Sequence, residues 1–113
     1  MRTVKKARLL RLHFAESDRY QGRPLYEAVV DRARHLGIAG ATVFRGLEGY
    51  GETAELHRKH LLHRDQPIVV TIVDTAENLE RLIPEVEAMM DTGLIAASDV
   101  ECIRIERPAA QEP

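Results

Sequence analysis

Five of the seven glycines of this 113-residue chain fall within residues 37–51, in the run Gly37-Ile38-Ala39-Gly40-Ala41-Thr42-Val43-Phe44-Arg45-Gly46-Leu47-Glu48-Gly49-Tyr50-Gly51. Glycine accepts positive φ and lets the backbone come close to a ligand. Gly46, Gly49 and Gly51 could therefore form a turn whose amides face an anion. The same glycines equally suit a tight turn that leaves a strand and binds nothing. Arg45 stands beside them, and Arg104 lies in the last apolar run. A guanidinium can grip a phosphate or a carboxylate at two points, although Glu48, Glu101 or Glu106 could instead take either arginine as a surface ion pair. His57, His60 and His63 recur every third residue next to Glu55. Three imidazoles could bind zinc or another transition metal, and a histidine at position 57 could respond to pH. A solvated basic loop with Arg58, Lys59 and Arg64 accounts for the same residues. No nucleophile stands beside a base and no carboxylate pair is tied to a cleft; Asp18 and Glu27 are only loop and helix acids, so no catalytic residue is assigned.

The elements that must position these groups follow from periodicity. Leu10, Leu12 and Phe14 alternate with Arg11 and His13, which predicts a strand, preceded by a basic, frayed segment over residues 1–7. Glu16 to Arg23 is polar and contains Gly22, as a loop would. Pro24 suits a first helical turn, and Leu25, Ala28, Val29 and Leu36 recur at helical spacing, so a helix is expected over Pro24–Leu36, with Gly37 as its C-cap. Ala41–Arg45 is the second strand. Residues 47–66 form a long polar stretch of the kind that is usually functional, whose middle, Thr53–Leu62, could add a helical turn or two. Pro67–Asp74 carries the strongest strand signal, with Ile68, Val69, Val70, Ile72 and Val73 apolar on both faces. Asp74 and Glu77 suggest a capping box for a second helix, striped by Leu79, Leu82, Ile83, Val86 and Met89 or Met90. Pro84 should kink or split that helix, and Thr92 with Gly93 should end it. Val100–Ile105 is the last strand, and residues 108–113 form a disordered tail.

The resulting order, β-α-β-β-α-β, is the ferredoxin-like split βαβ pattern: an α+β fold with an antiparallel sheet and both helices on one face. Helices cover one face only, and the doubly apolar third strand asks for something to cover the other. An oligomer that packs sheet on sheet is therefore expected. The length corresponds to one domain, and a chain of this size can bury a core without staples. A net charge of −2, with 30% charged residues, lacks the basic surplus of a nucleic-acid binder. The lone Cys102 leaves no internal disulfide and reads as a small core residue. No apolar run reaches the length of a membrane span, and no signal-peptide core follows Arg2, Lys5 and Lys6. A cytoplasmic protein without membrane insertion is the expectation.

Across roughly residues 7–106 the chain resembles the PII-like trimeric signalling proteins, and most of all the branch called domain of unknown function 190. The residues that carry the resemblance are Pro24-Leu25-Tyr26-Glu27, Gly37-Ile38-Ala39-Gly40-Ala41-Thr42-Val43, Arg45-Gly46, Gly49-Tyr50-Gly51, His57, Pro67-Ile68-Val69-Val70, Ile72-Val73-Asp74-Thr75 and Gly93-Leu94-Ile95. The resemblance implies a ferredoxin-like protomer, a homotrimer, and nucleotide or small-anion effectors in clefts between subunits. A long loop, here residues 47–66, would answer the effector and dock on a partner protein. Carried over by position, Gly40 and Thr42 would line the cleft, Gly49 and Gly51 would form the loop base, Gly93 the turn after the second helix, and Arg104 would contact a phosphate.

The chain also departs from the ATP-binding members. Glu106 stands where a second arginine would be, Thr92–Asp99 has no lysine, and Glu52-Thr53 replaces an arginine-glutamine pair. With these cations gone, an adenine mono- or diphosphate is expected in preference to ATP, and no obligatory cofactor. A regulator of this kind is the leading reading. A small enzyme on the same fold, or a metal-responsive sensor using His57, His60 and His63, are the alternatives.

Overall fold

The computed structural model describes residues 1–49 and 65–108. Its elements are β1 (Arg2–Ala15), a two-residue pair β2 (Arg19–Tyr20) and β3 (Arg23–Pro24), α1 (Leu25–His35), β4 (Thr42–Arg45), β5 (Pro67–Asp74), α2 (Ala76–Met89) and β6 (Leu94–Ile105). β4, β5, β1 and β6 form one sheet in that order, antiparallel throughout. The expected α+β ferredoxin-like architecture is present.

Period-two alternation decides the layering. Leu10, Leu12 and Phe14 of β1 and Ile68, Val70 and Ile72 of β5 are buried on one face. Leu25, Ala28, Val29 and Ala33 of α1 and Leu79, Leu82, Val86 and Met89 of α2 close over them. Each fully buried Leu, Ile or Val contributes about 1.5–3 kcal/mol of transfer free energy, and no polar side chain is buried among the described residues.

The local chemistry explains the boundaries. Pro24 occupies the N-cap of α1. At its other end Ile38 N–H donates to the Ala33 carbonyl and Gly37 N–H to that of Arg34, with Gly37 at φ +78°, the pairing of a Schellman cap. Arg32 joins the two helices through Glu85 at 2.7 Å. The N-cap of α2 is Thr75, not Asp74: its Oγ1 accepts from Asn78 N–H at 3.1 Å. Pro84 lies on the exposed side of α2 and does not split it. The loop expected over residues 16–23 contains the small β2–β3 ribbon, turned by Gln21 and Gly22, both at positive φ.

The largest departure concerns residues 1–7. They are not frayed: they extend β1, and the rungs from Arg2↔Ile105 to His13↔Leu94 join β1 to β6. β5 reaches only as far as Arg8↔Asp74, so Arg2–Ala7 and Val100–Ile105 stand out as a two-stranded ribbon. Alternation hid this, because the ribbon is exposed on both sides and carries no buried stripe. β6 likewise begins at Leu94 rather than Val100. Cys102 sits half-buried in the ribbon opposite Lys5, not in the core.

The face of the sheet away from the helices carries Leu9, Phe44, Val69, Val73 and Leu94, with Phe44 54% and Leu94 50% exposed. Arg11, His13, Thr42 and Thr71 are interspersed among them on the same face; apolar residues grouped on one uncovered face can mark an interaction surface.

Gly93, at φ +149°, starts β6 against the end of β1. A Cβ there would lie 2.4 Å from Met90 Cε and 2.5 Å from the His13 carbonyl oxygen. The methionine end can move, but the carbonyl belongs to a sheet rung and cannot. Gly93→Ala is expected to cost roughly 2–3 kcal/mol, measured by urea unfolding, with the m-value unchanged.

Candidate functional site

The site is built around the two ends of β4. At its entrance, Asp74 at the end of β5 accepts from Ala39 N–H (2.9 Å), Thr75 N–H (2.7 Å) and the Asn78 side-chain amide (2.8 Å). Partial burial opposes ionisation of this carboxyl. The three donors and the charge of Lys5 outweigh that, and hold its pKa below the ordinary aspartate value. Asp74 thereby fixes the backbone immediately before Gly40, while Gly40 itself is exposed and has open space around it. Thr42 pairs with Thr71 across the sheet and is exposed on the uncovered face.

At the exit of β4, Gly46 N–H donates to the Pro67 carbonyl at 2.7 Å. This amide is therefore spent on the chain itself, as in the tight-turn reading of the glycines, and is not offered to an anion. Gly46 and Gly49 both pack over the Pro67 ring: a Cβ would stand 2.8 Å and 3.2 Å, respectively, from Pro67 Cγ. Close approach, not positive φ, is why these two are glycines.

Arg45 forms an ion pair with Glu16, none of the three acids expected to compete for it, and this partner raises the arginine pKa further. Next to it Ser17 binds Asp65 twice, N–H to Oδ1 at 2.9 Å and Oγ to Oδ2 at 2.7 Å, and Glu16 N–H donates to the Gln66 carbonyl. The end of β1 thus ties down both sides of the stretch that leaves β4 and returns to β5. Sequence reasoning missed Glu16, Ser17 and Asp65, and read Asp74 as a helix cap rather than as the anchor of the stretch before β4. The single available signal was that all four are acids or hydroxyls at strand ends, where backbone donors run out of partners.

Gly93 lies at this same end of the sheet, against His13 and Phe14. Arg104 does not. It is opposite Thr3 near the tip of the ribbon and pairs with Glu106 at 2.7 Å, both about two-thirds exposed. Arg45 aligns through Ile68 with Phe14, eleven rungs from Thr3 and three strands across, so Arg45 and Arg104 of one protomer stand roughly 35–40 Å apart. Gly51, His57, His60 and His63, most of the 47–66 stretch and the end of the expected tail lie outside the described residues. Among the described residues no group of His, Cys, Asp or Glu is placed to hold a metal ion, and no helix is long and apolar enough to cross a membrane.

A wider groove of about 530 Å³ lies on the helix side, between Tyr20, Arg23 and Arg34. Asp31 bridges its arginines, to Arg23 at 2.6 Å and Arg34 at 3.3 Å. The hydrogen bond from Arg23 holds the Asp31 carboxyl below its ordinary pKa.

Residues 7–102 match the model of the DUF190 family, "Uncharacterized ACR, COG1993". The chain belongs to this family. A UPF0166 protein of Aquifex aeolicus (strain VF5) is 41% identical over 105 residues, covering 91% of this chain and 98% of that one. A UPF0166 protein of Methanocaldococcus jannaschii is 31% identical over 99 residues, covering 83% and 89%. Among solved structures, CPII of Thiomonas intermedia K12, a nitrogen regulatory PII-like protein, bound to ADP and bicarbonate, superposes with a TM-score of 0.60 at 20% identity, covering 88% of this chain and 91% of that one. The fold of this DUF190 chain is thus PII-like.

Two substitutions test the site's scaffold. Asp74→Ala should lose about 1–2 kcal/mol of stability at pH 7. Because the folded-state pKa is depressed, that contribution is complete above the unfolded value of about 3.9 and fades as pH falls through the folded one. The stability curves of the two proteins should therefore converge on the acid side, as followed by circular dichroism. Gly46→Ala should cost roughly 1–2 kcal/mol through its clash with the Pro67 ring. A double-mutant cycle with Pro67→Ala should return most of that loss, since the nearest atom is Cγ.

Proposed function

We propose that this protein is a PII-like regulator: a homotrimer that binds an adenine mono- or diphosphate, alone or with a small anion, between subunits. The observation that carries this reading is the separation of the candidate residues within one protomer. Arg45, Gly46, Gly49 and Gly93 gather at one end of the sheet, Gly40 and Thr42 lead into β4, and Arg104 stands at the opposite end. One chain offers two half-sites, and a complete site needs the front of one copy and the ribbon of the next. The uncovered apolar face, with Phe44, Val69, Val73 and Leu94, supports such packing. The nucleotide and bicarbonate of the CPII structures support the effector class.

In this mechanism the effector's phosphate draws Arg45 from Glu16, and the partner Arg104 from Glu106. Both pairs lie at the surface, where ion pairs contribute little, so a charge-assisted phosphate contact can outcompete them. Glu16 belongs to the Glu16–Ser17 end of β1 that holds Asp65 and Gln66, so exchange at Arg45 reaches the base of the 47–66 stretch. A ligand that favours one arrangement of that base shifts its population, and the stretch then engages or leaves a partner protein.

The test is a thermal-shift panel with AMP, ADP, ATP and bicarbonate, beside light-scattering mass determination. A mass three times 12.8 kDa is expected. AMP or ADP at 100 times its Kd should add about 2.7 kcal/mol, a shift of several degrees, and Arg104→Ala should abolish it. A monomeric mass, or a response to zinc but to no nucleotide, overturns the reading.

A further inference from the structure

We infer that Lys5 and Thr3 on β1 join Arg104 on β6 to form a phosphate-binding subsite at the ribbon tip, with Glu106 limiting the charge it accepts. The inference rests on the nucleotide reading above and names the residues that would complete its second half-site. Thr3 is directly opposite Arg104, and Lys5 opposite Cys102. Directly opposed and diagonal residues of an antiparallel pair share a face. Thr3, Lys5 and Arg104 therefore lie on one side of the ribbon. By alternation from Leu10, Leu12 and Phe14, it is the side away from the helices. That is the side on which a second copy would pack.

The three residues, with Met1 and Glu106, line a notch of about 310 Å³, in the size range of small-ligand sites. Lys5 and Thr3 form no side-chain hydrogen bond or ion pair among the described residues, so their donors are unspent. Arg104 spends one contact on Glu106. The N-terminal ammonium of Met1 donates to the Glu106 carbonyl at the same notch, so three cations and a hydroxyl face one carboxylate. A phosphate that enters gains charge-assisted bonds from Lys5 and Arg104, but meets Glu106 at the same spot. Each added negative charge on the ligand raises that repulsion. Glu106 offsets part of the notch's positive charge, so removing that carboxylate should help a nucleotide more, the more phosphates it carries.

Lys5 stands in a segment that continues the sheet, which gives its ammonium a fixed base. Its charge is felt at Asp74, on the adjoining strand, but the two form no ion pair among the described residues.

Isothermal titration of AMP, ADP and ATP into the full chain and its variants decides the matter. Lys5→Ala should weaken ADP about tenfold or more, and Lys5→Arg should retain most of the affinity. Glu106→Gln should strengthen binding, more for ATP than for AMP. A merely structural role for Glu106 would produce no such ordering. All three positions are exposed, so the unliganded melting temperatures should stay together. If ADP binds and Arg104→Ala abolishes it, while Lys5→Ala and Glu106→Gln leave all three affinities unchanged, the subsite is wrong and the regulator reading stands. If the wild-type chain binds none of the three nucleotides, both fall.

Discussion

The central position of β1 is the constraint on which the molecule depends. It is flanked by β5 on one edge and β6 on the other, and its alternation assigns a face to every neighbouring residue. Leu10, Leu12 and Phe14 select the side that the helices must cover, and Arg11 and His13 select the side they leave. A slip of one residue in the β1–β5 register would turn Val70 and Ile72 outward and bring Val69 and Val73 in. Helix placement, the open face and the direction in which Lys5 and Arg104 point all derive from that choice.

The candidate site inherits this order. Gly46 and Gly93 are small because other chain segments come within contact distance, Pro67 in one case and the His13 carbonyl in the other. Asp74 serves the same end differently, by collecting three donors that the stretch before β4 and the start of α2 would otherwise leave to water. The rigid parts of the site are thus made from packing and strand ends, while the arginines are held only by exposed, exchangeable ion pairs. That division suits a protein in which a ligand must displace something without disturbing the core.

Much of this was legible in the sequence. The buried stripes Leu10-Leu12-Phe14, Leu25-Ala28-Val29 and Leu79-Leu82-Val86 announce the sheet and both helices, because burial imposes period two on strands and 3.6 on helices. The ribbon was not legible for the complementary reason: nothing covers either side of it, so its residues are free to be charged, and Lys5-Lys6 looks like a solvated end. The choice of Thr75 over Asp74 as cap could not be read from two adjacent good caps. The partner of Arg45 was missed because Glu16 is 29 residues away in sequence, and only the pairing of β1 with β5 brings the end of one strand beside the end of β4.

The β1–β6 ladder has one more consequence, in time rather than in space. Its rungs join residues about 80–100 positions apart, from His13↔Leu94 to Arg2↔Ile105. The strand at the centre of the sheet is therefore the first to be synthesised and the last to be flanked on both edges. Contacts of such high sequence separation slow folding, and until β6 emerges a long strand edge stays open to other chains. The cations Lys5, Lys6, Arg8 and Arg11, spaced along that strand, are the kind of residue that keeps an open edge from pairing with a stranger.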